Sequence, residues 1–215
     1  MNKILNEQNP HWERTYTNNH EMFGAEPSEP AQDAVTLFKK QGARTVLELG
    51  AGQGRDTLFF GSEGFHVQAL DYSHTGIEVI KAKALELGLS DYIIAAEHDV
   101  RTPLPFPDSF FDACYAHMLF CMAMTTSELE SLASEVARVL RPGGICIYTV
   151  RHTGDPHYGT GIYRGEGMYE ANGFIVHFFD RKTIERLAVK FSDVKISEFE
   201  EGILPRRLFL VTMKK

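Results

Sequence analysis

Residues 45–56, with the sequence TVLELGAGQGRD, join a short apolar run to a glycine-rich turn and the start of a helix. The run from Val46 to Leu49 suits a buried strand, and the glycines that follow it permit the positive φ angles of a tight turn. A strand, a glycine turn and a helix in this order begin a βαβ unit. The stretch therefore predicts an α/β fold with a ligand at the turn, where the helix N-terminus offers free N–H groups.

Outward from this stretch, compact apolar runs alternate with amphipathic runs, as is typical of a parallel sheet covered by helices. A turn around Pro205 separates the last two strands, and no helix fits there, so these strands should form an antiparallel hairpin. The sequence thus predicts a Rossmann-like, seven-stranded, mostly parallel sheet with helices on both faces. The predicted strands are 45–49, 65–70, 92–96, 111–115, 145–150, 194–199 and 208–213, the helices are 56–63, 75–87, 127–140 and 180–191, residues 141–144 are a sharp turn, and 152–173 are a long loop.

The chain has 215 residues, which suits a single domain over residues 1–215. Residues 1–40 precede the sheet and contain scattered aromatics, such as Trp12 and Tyr16, and a helix near residues 30–40. We interpret them as a cap over the carboxyl edge of the sheet. Residues 43–150 then form the ligand-binding core, and residues 151–215 supply a substrate loop, the last helix and the hairpin.

The glycine turn suits either a dinucleotide or an adenosyl sulfonium. Gly50 and Gly52 match the dinucleotide pattern G-x-G-x-x-G, but Arg55 occupies the third glycine position. The carboxylate of Glu48, two residues before the turn, would repel a pyrophosphate and attract an ammonium and a sulfonium. The turn therefore favours the sulfonium ligand, whose carboxylate can bind the backbone N–H groups.

Two further carboxylates follow the second and third predicted strands. Asp71 lies 21 residues after Gly50, close to the spacing expected of an acid that binds ribose hydroxyls. Asp99 can accept from an adenine amino group, while the Val100 N–H can donate to a ring nitrogen. Each residue alone also has a structural interpretation, since Asp71 can cap the next helix and Asp99 can open the proline-rich loop. The three acids at three strand ends are the more specific signal.

These motifs resemble those of the class I S-adenosylmethionine-dependent methyltransferases. The similar segments are 46–55, 69–73, 98–100, 104–112 and 139–144, with the sequences VLELGAGQGR, ALDYS, HDV, LPFPDSFFD and VLRPGG. The resemblance implies the strand order 3-2-1-4-5-7-6 with strand 7 antiparallel, and S-adenosylmethionine as cofactor with S-adenosylhomocysteine as product. The expected cofactor-binding residues are Glu48, Gly50, Ala51, Gly52, Gly54, Arg55, Asp71, Tyr72, Ser73, Asp99, Val100, Ala116, His117, Trp12 and Tyr16.

The acceptor side is expected at the ends of the fourth and fifth strands and in the 152–173 loop. His117, Arg151, His152 and Arg164 are the candidate catalytic residues. The glycine-rich loop has few packing anchors, so we hypothesise that it closes over a small substrate while Arg151 or Arg164 attracts an anion. The alternative is a solvated loop whose charged side chains contact water.

The identity of the methyl acceptor stays open at this stage. The segment after Trp12 and the runs 52–57 and 177–184 look like the tellurite-resistance and thiopurine S-methyltransferase branch, which implies a thiol or another soft chalcogen in a small molecule. Small-molecule O-, N- and C-methyltransferases fit as well. An NAD-dependent oxidoreductase or a non-catalytic adenosylmethionine-binding protein is a further alternative.

Composition excludes several other classes. Lys and Arg number 22 against 29 Asp and Glu, a net charge of −7, which argues against nucleic-acid and membrane-surface partners. No apolar run approaches the roughly 20 residues of a membrane span, and the first residues are too polar for a signal peptide. Three cysteines without a paired motif fit the cytoplasm, and the scattered histidines predict no metal site. The oligomeric state cannot be inferred from the sequence.

Overall fold

The computed structural model describes residues 2–202 and 205–215. Its main feature is a seven-stranded sheet in the order β3-β2-β1-β4-β5-β10-β9. The strands are β1 (Thr45–Leu49), β2 (His66–Asp71), β3 (Ile93–Glu97), β4 (Phe111–His117), β5 (Leu140–Arg151), β9 (Ser192–Glu201) and β10 (Arg206–Lys214). β10 is antiparallel to both of its neighbours, β5 and β9, whereas β1 to β5 pair in parallel. This is the strand order predicted from the sequence.

Helices cover both faces of this sheet, because apolar side chains on its two sides form two separate buried clusters. Side chains cap the first turns of two of these helices. Asp180 accepts a hydrogen bond from the Thr183 N–H at 2.8 Å, and Thr125 forms a capping box with Glu128. The helices are α1 (Asn2–Asn6), α2 (Gln8–Asn18), α3 (Glu29–Lys40), α4 (Arg55–Ser62), α5 (His74–Glu86), α6 (Thr126–Val139) and α7 (Arg181–Leu187).

Two local predictions were wrong. Residues 141–144 are not a separate turn but the first part of β5, because Gly143 and Gly144 exchange backbone hydrogen bonds with Lys215 at the C-terminal end. The predicted helix 180–191 is shorter, since α7 ends at Leu187 and a 3-10 turn covers Ala188–Lys190.

The predicted loop 152–173 was also wrong in its second half. It contains β6 (Ile162–Gly165) and β7 (Met168–Ala171), which join β8 (Phe174–His177) in a three-stranded antiparallel sheet. Each connection has two central residues with positive φ, first Glu166 and Gly167 at 52° and 78°, then Asn172 and Gly173 at 53° and 84°. Such pairs form type I′ turns, whose twist matches that of the strands they join.

Helix α2 connects this small sheet to the main one. Gln8, which is buried, donates from Nε2 to the Gly173 carbonyl at 2.9 Å and accepts from the Ile175 N–H at 3.1 Å. Asn9 donates to the Tyr72 carbonyl at the end of β2. Helix α2 and the small sheet thus form a continuous roof over the carboxyl ends of the central strands. No helix in residues 2–202 or 205–215 combines the length and apolar character needed to cross a bilayer.

Candidate functional site

The turn after β1 carries the glycine pattern found in the sequence. Gly50, Gly52 and Gly54 have φ angles of 71°, 57° and 86°, a region that other residues rarely adopt. Gly50 also permits the Leu119 side chain to approach the backbone closely, because a Cβ added at residue 50 would lie 2.8 Å from the Leu119 Cβ. Gly54 ends the turn as the N-cap of α4. The turn therefore presents its backbone and a helix N-terminus to the space above β1.

Glu48 lies on β1 just before this turn and is almost fully buried. Its carboxylate accepts a hydrogen bond from the Thr57 hydroxyl at 2.6 Å. Burial, helped by the nearby charge of Asp56, raises the pKa of Glu48 well above its usual range, and the Thr57 hydrogen bond opposes this only in part. The residue faces the cavity described below.

Asp71, at the end of β2, joins the turns that follow β1 and β2. Its two carboxylate oxygens accept from the Gly52 N–H at 2.8 Å and from the Ser73 N–H at 2.9 Å. Burial raises the pKa of Asp71 to about 6, against the effect of these two backbone hydrogen bonds. A carboxylate has about four lone-pair sites, so Asp71 retains acceptor capacity for a ligand.

Asp99 follows β3 and is half-buried. Arg101 forks onto its carboxylate, with the Nε atom 3.0 Å from Oδ1 and 3.1 Å from Oδ2. Burial acts to raise the pKa of Asp99, but the hydrogen bonds and charge of Arg101 outweigh it and hold the pKa below its usual value. Asp99 therefore stays ionised, and Val100 and Tyr72 line the same wall.

A single cavity of about 970 Å³ connects these features. Its floor is formed by the strand ends, including the three carboxylates that the sequence placed at neighbouring strand tips. Its roof comes from α2 and the small sheet. There the centroid of the Trp12 ring lies 5.4 Å from that of Tyr16 and 4.8 Å from that of Phe174. The predicted site residues that line it are Trp12, Tyr16, Glu48, Gly50, Ala51, Gly52, Arg55, Asp71, Tyr72, Asp99, Val100, His117 and Arg151.

Three predicted cofactor residues support this wall without facing the cavity. Ser73 is fully buried and caps α5 by accepting from the Gly76 N–H at 3.0 Å. Gly54 shapes the turn, and Ala116 is fully buried within β4. Among the described lining residues, none of the three is present. A direct cofactor contact for them stays a prediction.

Two of the predicted catalytic residues also lie elsewhere. The His152 ring stacks on Phe209 at 4.5 Å, and its Nδ1 atom accepts from the Gly154 N–H. Arg164 pairs with Glu170 across the small sheet, its Nε atom 2.7 Å from the carboxylate. Neither residue is among the described residues that line the cavity. Their side chains make local contacts outside the cavity lining, and a role for them on a substrate stays a prediction.

Arg151 does line the cavity, but its charge is compensated. Its guanidinium donates to both carboxylate oxygens of Asp155, which is buried, and to the Nδ1 atom of His157. The Phe178 ring lies 5.2 Å below the guanidinium carbon. Arg151 is therefore a buried structural cation, and the predicted attraction of an anionic substrate does not follow from it.

His117, at the end of β4, faces the cavity between two polar partners. Its Nδ1 atom lies 2.9 Å from the Thr149 hydroxyl, and its Nε2 atom lies 3.2 Å from Glu201. Glu201 was missed at the sequence level because its position depends on the register of β9 with β10. Arg206, its cross-strand partner, was missed for the same reason. Sequence reasoning also missed a group of cavity-lining side chains, Met118, Met122, Met124, Tyr169, Phe174 and Val176.

Comparison with known proteins identifies this arrangement. Residues 46–144 match a family model described as a methyltransferase domain. This segment, just under half of the chain, is therefore similar to the methyltransferase domains that use S-adenosylmethionine. The matched segment includes the glycine turn, Asp71 and Asp99, and it ends at residue 144, within the first part of β5. The resemblance seen in the sequence is thus confirmed for the class.

Two curated relatives of this chain are named for different methyl-transfer reactions. A phosphatidylethanolamine N-methyltransferase of Cereibacter sphaeroides is 33% identical over 57% of this chain and 57% of its own length. A sterol 24-C-methyltransferase of Gibberella zeae is 36% identical over 46% of this chain and 26% of its own length. The chain thus spans about half the length of the first relative and about a quarter of the second. The thiopurine S-methyltransferase branch is not confirmed.

Solved structures share the fold. The 1,6-didemethyltoxoflavin-N1-methyltransferase of Burkholderia thailandensis superposes with a TM-score of 0.74 at 17% identity, over 97% of this chain and 87% of that one. A methyltransferase of Methanosarcina mazei gives a TM-score of 0.69 at 22% identity, over 80% and 92% of the two chains. The first of these superpositions takes in nearly the whole chain, so the fold beyond residues 46–144 is shared as well.

The residues of this cavity fit S-adenosylmethionine, the cofactor of the class. The ligand is cationic at its sulfonium and its ammonium, and the cavity floor carries three carboxylates, Glu48, Asp71 and Asp99. Gly50 and Gly52 line the cavity without side chains that would obstruct a ligand. Within the described chain, no group of three or more His, Cys, Asp or Glu is placed to hold a metal ion.

Proposed function

We propose that the protein is a methyltransferase that transfers the methyl group of S-adenosylmethionine to a small molecule. The observation that carries the proposal is one cavity shared by the three carboxylates, the glycine turn and an aromatic roof. Its volume of about 970 Å³ lies near the upper end of the range for small-molecule sites, roughly 300–1,000 Å³. That volume leaves room for an acceptor beside the cofactor.

In this proposal the strand ends bind the cofactor and the roof excludes water. Asp71 accepts from the ribose hydroxyls, Asp99 and Val100 bind the adenine, and Glu48 offers a carboxyl oxygen near the amino-acid part. The bound cofactor supplies a methyl group on a positively charged sulfur. The chain needs to align an acceptor with that group and to keep the site dry, which is the main task in an in-line displacement.

The acceptor is proposed to have an apolar or aromatic part. Trp12, Phe174 and Phe178 provide aromatic surface, and methionines at positions 118, 122 and 124 provide adaptable apolar surface. A thiol fits this lining, as do oxygen, nitrogen and carbon acceptors. The names of the two curated relatives specify a nitrogen and a carbon acceptor, so they do not favour sulfur.

We propose a role for each part of the chain. Residues 1–40 act as a cap, residues 43–150 as the cofactor-binding core, and residues 151–215 as the part that completes the acceptor side. The protein works in the cytoplasm on a small-molecule substrate, without a nucleic-acid or membrane partner. The aromatic lining of the cavity supports the small-molecule substrate.

The proposal is tested by following S-adenosylhomocysteine release with a panel of matched aromatic amines, phenols and thiols. We expect release that depends on the acceptor, with binding of S-adenosylhomocysteine measured in parallel by titration calorimetry. Titration with NAD⁺ tests the oxidoreductase alternative. Binding of NAD⁺ without binding of S-adenosylhomocysteine would refute the proposal, and cofactor binding without release from any acceptor class would favour a non-catalytic binding protein.

A further inference from the structure

Three strands contribute to a continuous polar chain at the acceptor end of the cavity. Thr149 of β5 contacts the Nδ1 atom of His117 on β4 at 2.9 Å. The Nε2 atom of the same ring lies 3.2 Å from Glu201 at the end of β9. His117 and Glu201 both line the cavity. The polar chain therefore ends on a carboxylate at the cavity wall, and two of its three residues, Thr149 and Glu201, lie outside the segment 46–144 that matches the family model.

The hydrogen-bond partners determine where the protons lie. The Thr149 hydroxyl already accepts from the Met118 N–H at 2.9 Å, so its own proton is available to the Nδ1 atom of His117. An ionised carboxylate only accepts, so the Nε2 atom of His117 must carry a proton toward Glu201. Both ring nitrogens are then occupied. His117 has no free lone pair for a substrate and serves to position Glu201.

Several groups hold Glu201 in its ionised form. Burial acts to raise its pKa, but the hydrogen bond from His117, together with the positive charges of Arg206 and Arg55, holds the pKa of Glu201 below its usual range. Arg206 lies directly opposite Glu201 in the hairpin register. A carboxylate held in this way is a weak base for an amine or phenol, but it is a stable negative charge.

We propose that the Glu201 carboxylate faces the methyl-transfer centre and stabilises positive charge on a nitrogen acceptor, with His117 and Thr149 as positioning residues. This inference rests on the proposed methyltransferase function and deepens it. A thiolate would be repelled by the same carboxylate, so the geometry favours a neutral amine or ring nitrogen over sulfur.

The charge balance of such a transfer matches this site. The nitrogen lone pair forms the new C–N bond while the C–S bond breaks and its electron pair goes to sulfur, which becomes a neutral thioether. Positive charge thereby moves from sulfur to nitrogen, and the nitrogen keeps its proton until the product reaches solvent. A fixed negative charge beside the nitrogen lowers the barrier because it acts where charge develops.

Sinefungin tests the inference without a known acceptor. This analogue carries a C–NH₃⁺ group in place of the sulfonium and its methyl, whereas S-adenosylhomocysteine has a neutral sulfur there. Both ligands are titrated calorimetrically into the wild-type protein and Glu201→Gln. We expect Glu201→Gln to weaken sinefungin binding by about tenfold or more, as for the loss of a charged hydrogen bond, and to change S-adenosylhomocysteine binding by less than about twofold.

Glu200→Gln is the matched control, because Glu200 is exposed, pairs with Arg207 and carries the same charge on the same strand. We expect it to leave both affinities unchanged. Glu201→Asp keeps the charge one methylene further back and should give an intermediate sinefungin affinity. It also serves as the second variant if Glu201→Gln does not fold.

Each other outcome is decisive. An equal loss of both ligands in Glu201→Gln would mean that Glu201 only supports the cofactor site, and no loss of either would mean that it does not face the transfer centre; both overturn the inference. Turnover of phenols or thiols but no amine would overturn the choice of nitrogen. If the wild-type protein binds neither ligand, the proposed function itself fails.

Discussion

Asp71 links the chemistry of the site to pH. Its raised pKa, about 6, means that the buried carboxyl binds a proton more tightly in the folded protein than in the unfolded chain. Protonation stabilises the free protein below that value, and this contribution is lost as the pH rises through about 6. Ligand binding has the opposite sign, because ribose hydroxyls need the ionised acceptor.

We therefore expect the affinity for S-adenosylhomocysteine to fall as the pH is lowered through about 6, measured by calorimetry between neutral and acidic buffers. Asp71→Asn should weaken binding at pH values where Asp71 is ionised and should remove most of this dependence. Asp33→Asn, at an exposed position on α3, is the control with the same charge change. An affinity that falls equally in Asp71→Asn and the wild type would contradict the assignment.

Gly50 tests the close approach in the turn. Gly50→Ala introduces a Cβ 2.8 Å from the Leu119 Cβ at a φ of 71°, so Leu119 must move within the cavity wall. We expect lower stability and weaker S-adenosylhomocysteine binding. Gly64→Ala has a similar φ of 87° with nothing within 4 Å of the new Cβ, so it should cost about 1 kcal/mol of stability and leave binding unchanged. Equal binding in both variants would refute the role of this approach.

At the scale of elements, the Gln8 side chain joins α2 to the small sheet. Gln8→Leu leaves the Gly173 carbonyl and the Ile175 N–H without their partner, and each unpaired buried group costs about 1–3 kcal/mol. We expect faster amide hydrogen exchange in β7 and β8 and a lower melting temperature. Gln32→Leu, on the exposed face of α3, controls for the substitution. Unchanged exchange in the small sheet would show that Gln8 does not hold the roof.

Arg164→Ala tests whether this charged side chain of the small sheet takes part in catalysis. Its guanidinium is part of an ion pair with Glu170 outside the cavity lining, so Arg164→Ala should lower the free energy of unfolding by about 0.2–1 kcal/mol and leave cofactor binding and turnover unchanged. Denaturant unfolding and the acceptor panel measure the two effects. A large loss of turnover with intact folding would restore the catalytic role expected from the sequence.

At the level of elements, the sequence predicted structures whose cause is local. The strand at 45–49 and the turn after it were recognisable from the apolar run, the glycines and the acidic residues. Asp180 was recognisable as the residue that caps the last helix. The pair Asn172 and Gly173 is an equally local hairpin signal. It was overlooked because the surrounding glycines made the segment look unstructured. The sequence of residues 172 and 173 therefore already contained the information for this hairpin.

At the scale of the whole molecule, the missing information was of another kind. The convergence of Glu48, Asp71 and Asp99 could be predicted because parallel strands end at the same edge of a sheet. Glu201 could not, because its contact with His117 requires the register of the hairpin and the order of non-adjacent strands. The engagement of Arg151 by Asp155 likewise depends on how the chain folds back after β5. The sequence therefore predicted the convergence of these three acids but not the contacts at the ends of β4, β5 and β9.

The most direct test of the central claim is the crystal structure of the complex with S-adenosylhomocysteine. We expect the ribose hydroxyls within hydrogen-bond distance of the Asp71 carboxylate and the adenine beside Asp99 and Val100, with the sulfur directed toward the end of β4. A ligand bound away from these carboxylates, or bound with its ribose out of reach of Asp71, would contradict the assignment of this cavity as an adenosylmethionine site.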